Sequence, residues 1–271
     1  MKSILKSVLR KLGLLKVIRT WVYRRKYKSL IHTFAGQTKF PVHYRNIDVD
    51  FSIEDPYSAT FFATYFRKGV YEEEGLSVML DEVNPDDVVF DVGANIGYFT
   101  CLAAIRTKSG EVHAFEMGHE NFNILEKNIR LNQLSNAKPV CMAVSDDNGK
   151  VSILDSPVGN AVTKILEDTP PGGDIISVPS ISLDAYSRQS GAKPDFVKID
   201  VEGAEMKVLQ GMRNILKDGV KLLVEIHDKE LKLFHSSKQE VLDFIAASGY
   251  STRIITNDVR KNLLVYAWRN Q

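Results

Sequence analysis

Acidic side chains recur in this sequence at the ends of stretches rich in β-favouring residues. Asp91 and Gly93 close the run that starts at Val88, Glu116 closes Val112-His-Ala-Phe115, and Ser145 and Asp146 follow Val140 to Val144. Asp200 closes Phe196-Val-Lys-Ile199, and Glu225 and His227 close a fifth run from Lys221. An open α/β sheet binds its ligand beyond the carboxyl ends of its strands, near the point where strand order reverses. Polar residues at five successive strand ends therefore describe one candidate cleft.

The first of these ends carries a glycine turn, Gly93-Ala-Asn-Ile-Gly97, between a buried strand and a helix start. Glycine supplies the backbone freedom such a turn needs. Glu116 lies 19 residues after Gly97, the distance at which an acid on the second strand takes both hydroxyls of an adenosine ribose. The turn lacks the full G-x-G-x-x-G set that lets a backbone approach a pyrophosphate. S-adenosylmethionine, an adenosine ligand without pyrophosphate, fits this pattern better than a dinucleotide does.

Strand and helix periodicities supply the elements that position these residues. A helix is expected over 98–105, a strand at 111–116, a helix to about 132, and a third strand over 140–144. Segments 151–154 and 175–181 flank Pro170-Pro171-Gly172-Gly173 and suit an inserted hairpin-like excursion. Sheet order resumes at 196–200, followed by a helix over 205–216, a strand at 221–226, a helix over 241–247 and a terminal antiparallel hairpin, 250–255 with 263–268. This order indicates a parallel sheet with right-handed crossovers, beginning after the turn Asn84-Pro-Asp-Asp87. Residues 31–84 are hard to phase and read as a segment that contributes to the cleft; within it Tyr65 and Phe66 are expected in the core.

The chain of 271 residues, 44% hydrophobic and 25% charged, suits one large globular domain with an appendage. Cys101 and Cys141 match no zinc spacing and read as reduced, packed thiols of a cytoplasmic protein. Formal net charge is +1, yet 12 Lys and Arg and no Asp or Glu precede Asp48, leaving 23 basic against 34 acidic residues beyond, a net of −11. Residues 1–30 read as a basic amphipathic helix that either lies on an anionic membrane through residues 1–28 or packs on the body or a partner subunit. No apolar run near 20 residues supports a spanning helix, and the acidic body argues against nucleic acid.

Five motifs in order carry a family resemblance: Asp91-Val-Gly-Ala-Asn-Ile-Gly-Tyr-Phe99, Val112-His-Ala-Phe-Glu116, Asn121-Phe122 with Asn128-Ile-Arg-Leu-Asn132, Ala143-Val-Ser-Asp146, and Asp195-Phe-Val-Lys-Ile-Asp-Val-Glu-Gly-Ala-Glu205. Over about residues 69 to 230 the chain resembles the FkbM-type S-adenosylmethionine-dependent methyltransferases. The resemblance implies a Rossmann-like class I α/β sheet of seven strands, mostly parallel, with an antiparallel terminal hairpin. It also implies O-methylation, often of sugar hydroxyls in glycans or of natural products. The chain departs at Met117-Gly118, where the family commonly has proline after the acid.

On that footing Asp91 and Gly93 are expected to place the methionine moiety, with Asp91 near its ammonium. Asn95 and Gly97 shape the same loop, Glu116 takes the ribose, and Ser145 and Asp146 sit beside the adenine. Tyr71 and Glu72 approach the cofactor from the preceding segment, on the resemblance alone. Methyl transfer is an in-line displacement in which positioning dominates and the acceptor hydroxyl can need a base. Asp200, Glu202 and His227 are the candidates for that role; Lys198 reads as orienting Asp200 or contacting substrate, with inward-facing partners as an equal reading, and Glu225 reads as a contact to substrate. No clustered metal-ligand set is read, and placement of carboxylates near a helix start weighs equally with catalysis for Asp200 and Glu202. A dinucleotide-dependent oxidoreductase using NAD, or a non-catalytic binding module recruited to membranes, are the alternative readings.

Overall fold

The computed structural model of the chain describes residues 34, 36–66, 70–154, 165–166, 175–256 and 262–269. The basic segment read as an amphipathic helix at 1–30 lies outside them, as do Asn257 and Asp258. A hairpin of β1 (Lys39–Tyr44) and β2 (Ile47–Ser52) leads into α1 (Pro56–Tyr65) and α2 (Glu73–Glu82). Then come β3 (Val88–Val92), α3 (Tyr98–Arg106), β4 (Glu111–Phe115), α4 (His119–Leu131) and β5 (Ala137–Val140). Four short strands follow: β6 (Ala143–Val144), β7 (Gly149–Leu154), β8 (Ile165–Leu166) and β9 (Ile175–Ile181). Next are α5 (Leu183–Ser190), β10 (Phe196–Ile199), α6 (Glu205–Gln210), α7 (Arg213–Lys217) and β11 (Lys221–Ile226). The chain closes with α8 (Asp228–Leu231), α9 (Lys238–Ala247), β12 (Ser251–Thr256) and β13 (Leu263–Trp268).

Seven of these strands form one sheet in the order β5-β4-β3-β10-β11-β13-β12. The five from β5 to β11 run parallel, and β13 is antiparallel to both its neighbours. The fold is therefore the mostly parallel seven-stranded α/β sheet with an antiparallel terminal hairpin that the resemblance implied. Strand order reverses between β3 and β10, so the carboxyl ends of these two strands open the cleft. Both faces of the sheet are covered. Val89, Ala114 and Phe196 pack in a core with α2 and α3 residues such as Leu76 and Leu102. Phe90, Phe115, Val197, Ile199, Leu222 and Val224 pack on the other face with α6 and α9 residues such as Val208 and Val241. Burial on both faces explains why these strands read as continuous apolar runs.

The segment before β3 is docked by two amides spaced one helical turn apart on α4. Asn128 Oδ1 accepts the Ser52 N–H at 2.9 Å and its Nδ2 donates to the Ile96 carbonyl at 2.7 Å. Asn132 Oδ1 accepts the Asp50 N–H at 2.8 Å and its Nδ2 returns to the Asp50 carbonyl at 2.7 Å. Side-chain amides here take the place of a neighbouring strand along β2, whose backbone groups need partners once buried. That docking carries α1 and the start of α2 over the cleft.

Several details differ from the sequence reading. Residues 140–144 are not one strand: β5 ends at Val140 on the sheet edge, and β6 pairs instead with β9 in a separate four-stranded sheet, β6-β9-β7-β8. Pro139 within β5 suits an edge strand, where a missing N–H costs little. The excursion is hairpin-like as expected, since β7 pairs antiparallel with β9 from Gly149–Ser180 to Leu154–Ile175. The helix expected over 205–216 is two, broken at Gly211-Met212, because Gly211 lies against the Ser145 carbonyl, where a Cβ would come within 2.2 Å. Helix α5, capped by the Ser182 hydroxyl on the Ala185 N–H, was not read at all. Tyr65 is 45% exposed rather than core, and Phe66 packs partly buried against the first core. Cys101 is buried and Cys141 half-buried, both as free thiols. Among the described residues no helix is long and apolar enough to cross a membrane.

Candidate active site

At the reversal of strand order lies a cavity of about 560 Å³. It is built from four strand ends and the segment over them: Gly93 and Asn95 after β3, Glu116 after β4, Asp200 and Glu202 after β10, and Glu225 and His227 at the end of β11. Tyr57, Phe61, Tyr65, Val70, Tyr71 and Glu72 close it from above. Aromatic contacts hold that roof, with Phe61 and Tyr71 at 4.9 Å and Tyr71 and Tyr98 at 5.5 Å between ring centroids.

The turn after β3 is fixed by a close approach. Gly93 has φ +84°, and a Cβ there would stand 1.8 Å from the Asp200 carbonyl oxygen, so the ends of β3 and β10 meet only through a glycine. Gly93 and Ala94 both donate backbone N–H groups to the Phe115 carbonyl, at 3.0 and 2.9 Å. Asn95 takes the left-handed region at φ 52°; its N–H donates to Glu116 Oε2 at 2.9 Å and its Nδ2 to the Tyr57 hydroxyl at 3.0 Å. Gly97, at φ +86°, ends the turn against Leu125 and does not line the cavity.

Glu116 is 6% exposed and accepts one backbone N–H on each oxygen, Asn95 on Oε2 and Gly118 on Oε1, the latter at 2.7 Å. Burial pushes its carboxyl up to about 7, against the pull of those two hydrogen bonds. Each oxygen keeps a second lone pair, and the residue lines the cavity. The side chain is locked before any ligand arrives.

Asp91 and Lys198 form a buried pair. They stand opposite each other in the β3–β10 register, and their side chains pair at 3.6 Å beneath the cavity rather than in its lining. Asp91 Oδ2 accepts the Thr100 hydroxyl at 2.6 Å. Lys198, 5% exposed, lies 4.7 Å from the centre of the Phe99 ring and 3.3 Å from Asp200 Oδ2. Burial lowers the pKa of its ammonium, but the carboxylates of Asp200, Asp91, Glu72 and Glu225 more than reverse that and hold it raised. Lys198 is thus the buried counter-charge of the cavity floor. Ser145 and Asp146 also fall outside the lining: the Ser145 hydroxyl donates to Asp146 at 2.9 Å, and Asp146 faces Lys207 at 3.8 Å. The switch of sheets at β6 removes them, and Met142, Ala143 and Val144 line that wall instead.

Much of the remaining lining is acidic. Asp200, Glu202 and Glu225 form an acidic wall with one histidine, His227, beneath Glu72 and Glu74. Burial, then the charges of Glu225 and Asp200, hold the Glu72 carboxyl well above its usual range; Glu225 is raised likewise by burial and Asp200, with Asn262 donating to it at 2.8 Å. Burial and nearby Glu72 and Asp200 also raise the Tyr71 phenol. His227 donates or accepts through Nδ1 with Glu205 Oε1 at 2.7 Å, and Glu205 is itself fully buried and accepts the Gly203 N–H at 2.9 Å. Burial alone would lower the imidazole pKa; the Glu205 hydrogen bond and the Asp200, Glu205 and Glu202 charges override it and push it up to about 9.

The fold thus gathers Gly93, Asn95, Glu116, Tyr71, Glu72, Asp200, Glu202, Glu225 and His227 around one cavity and leaves Asp91, Gly97, Lys198, Ser145 and Asp146 outside its lining. Sequence reasoning missed Tyr57, Glu205, Asn121 and Asn262. Glu205 and Asn121 stand inside the quoted motifs, which was their only signal; nothing local marks Tyr57 or Asn262.

The profile of the Methyltransferase FkbM domain matches residues 91–252. Hexuronic acid methyltransferase AglP of Haloferax volcanii is 32% identical over 158 residues, covering 58% of this chain and 62% of that protein. The chain thus spans less than two thirds of that relative's length. The 31-O-demethyl-FK506 methyltransferase FkbM of Streptomyces tacrolimicus is 27% identical over 230 residues, covering 74% of this chain and 78% of that one. Among solved structures, a methyltransferase FkbM from Methylobacillus flagellatus aligns with a TM-score of 0.47 at 17% identity, over 68% of this chain and 44% of that one.

Proposed function

The chain belongs to the FkbM methyltransferase family, and from that premise we propose that it is an S-adenosylmethionine-dependent O-methyltransferase acting on a hydroxyl of a saccharide, either in a glycan or in a glycolipid. The observation that carries the cofactor reading is Glu116: a buried carboxylate at the second strand end, locked by two backbone N–H groups and turned to the cavity. Its remaining lone pairs suit the two hydroxyls of a ribose. The acidic wall suits a cationic donor better than it would suit the two phosphates of a dinucleotide, which removes the reason for the NAD alternative.

When bound, S-adenosylmethionine supplies a methyl group on a positively charged sulfur. The residues of this chain have the remaining tasks. Gly93 and Asn95 shape the backbone against which the donor lies, and Glu116 fixes its ribose. Tyr71 and Glu72 cover it from the roof. Asp200 lines the acidic wall, with Oδ2 held by Lys198 and Oδ1 left toward His227. Positioning and a nearby carboxylate are what an in-line displacement asks of a protein. Glu205 orients His227 on this wall through Nδ1.

The saccharide acceptor is supported by the hexuronic acid named for one relative. The test is mass spectrometry of glycans and glycolipids from cells with and without the gene. A saccharide lighter by one methylene unit in the deletion is expected; unchanged saccharides beside a change in another class of metabolite would overturn the acceptor assignment.

A further inference from the structure

The acidic wall brings three potential ligand atoms close together. The His227, Asp200 and Glu202 donor atoms all lie within 4.8 Å of one another. His227 Nε2 stands 3.7 Å from Asp200 Oδ1 and 3.6 Å from Glu202 Oε2, with Glu225 Oε1 at 3.8 Å. Hydrogen bonds of this kind close to 2.7–3.2 Å, so these separations are too long for direct bonding. They match the spacing of atoms that share one divalent cation, since metal–ligand distances near 2.0–2.2 Å set neighbouring ligands roughly 3–4 Å apart.

A second observation is independent of the acidic cluster. His227 is 3% exposed, and its one hydrogen bond among the described residues is from Nδ1 to the buried Glu205. Nε2 is left turned to the carboxylates. A ring nitrogen fixed by a buried carboxylate, with the other nitrogen offered to the site, is the arrangement by which proteins orient metal-binding histidines. The other Asp200 oxygen is already held by Lys198, so Oδ1 alone is offered.

We propose that Asp200, Glu202 and His227 hold a divalent cation of the Mg²⁺ or Mn²⁺ class at the acceptor end of the cavity, with Glu205 as the positioning residue behind His227. Two carboxylate oxygens and one imidazole leave coordination positions open toward the cavity. Adjacent oxygens of an acceptor fill them, which places a hydroxyl on the cation and makes it more acidic. This last role rests on the methyltransferase reading; cation binding does not. The cation also answers the charge of the wall, where carboxylates outnumber the basic groups near them.

The experiment is titration of the full chain with Mn²⁺ alone, followed by electron paramagnetic resonance of the free ion, with a parallel titration of S-adenosylhomocysteine. Saturable binding of about one Mn²⁺ per chain is expected, displaced by Mg²⁺, and lost in His227→Ala and Glu202→Gln variants whose circular dichroism matches the wild type. Glu205→Gln should weaken Mn²⁺ binding by about 10- to 100-fold, a change that a packing role for Glu205 would not produce in a folded variant. No Mn²⁺ binding by a wild-type protein that still binds S-adenosylhomocysteine overturns the cation site and leaves the donor reading standing. Binding that survives both His227→Ala and Glu202→Gln also overturns it. Mn²⁺ binding that is lost in both variants, without S-adenosylhomocysteine binding, supports the cation site and counts against the donor reading.

Discussion

Replacing Glu116 with glutamine separates the cost of this carboxylate from its use. Burial raises its folded-state pKa to about 7 from 4.5 in the unfolded chain. The sign follows from that direction: its contribution to stability is complete below about 4.5 and is lost as pH rises through about 7. From those two values, the wild type loses roughly 2–3 kcal/mol through this group alone between pH 5 and pH 8. Glu116→Gln carries no such charge, while its single acceptor oxygen resembles the protonated acid in serving one of the two N–H groups from Asn95 and Gly118. Urea denaturation at the two pH values should therefore show the variant gaining roughly 2–3 kcal/mol on the wild type as pH rises. The same variant should bind S-adenosylhomocysteine more weakly, by roughly 10- to 100-fold, because hydrogen bonds to a charged group are worth about 1.5–3 kcal/mol. More stable and weaker in binding at pH 8 is the expected pair. Stability curves that stay parallel across pH would refute the argument from burial, and an unchanged affinity would refute the ribose assignment.

Two further substitutions probe how the cavity is held. Gly93→Ala puts a Cβ at 1.8 Å from the Asp200 carbonyl in a left-handed backbone; a loss of more than about 2 kcal/mol is expected, with weakened S-adenosylhomocysteine binding, and wild-type values in denaturation and calorimetry would contradict the close approach. Asn128→Ala leaves the Ser52 N–H and the Ile96 carbonyl without their partner, at a cost of about 2–4 kcal/mol; hydrogen exchange should quicken at Ser52, and unchanged protection there would show that the hairpin docks by other means.

The parts of the site that were legible in sequence are those fixed by local geometry. The turn at Gly93 to Gly97 and the acid at Glu116 belong to one strand-turn-helix-strand unit, so spacing along the chain translates directly into position. Asp200, Glu225 and His227 were legible for the same reason, each standing at the end of an apolar run. Roles that depend on a partner across the sheet were not legible. The partner of Asp91 is set by the β3–β10 register, which puts Lys198 opposite it, and the burial of Lys198 follows from the same neighbouring strands. Ser145 and Asp146 followed the third apolar run, but the chain changes sheets at β6, and periodicity carries no mark of such a switch. The docking of β2 on Asn128 and Asn132 joins residues 76 and 82 positions apart, beyond any local pattern. His227, Glu202 and Asp200 come together only because β10 and β11 are neighbours, which is why no metal-ligand spacing was visible along the chain.

The central claim is that the cavity at the ends of β3, β4 and β10 holds S-adenosylmethionine. Calorimetric titration of the wild-type chain with S-adenosylhomocysteine tests it most directly, with NAD titrated in the same way for comparison. Saturable one-to-one binding of S-adenosylhomocysteine, and none of NAD, is the predicted result. No heat of binding at high micromolar S-adenosylhomocysteine, or tighter binding of NAD, would contradict it.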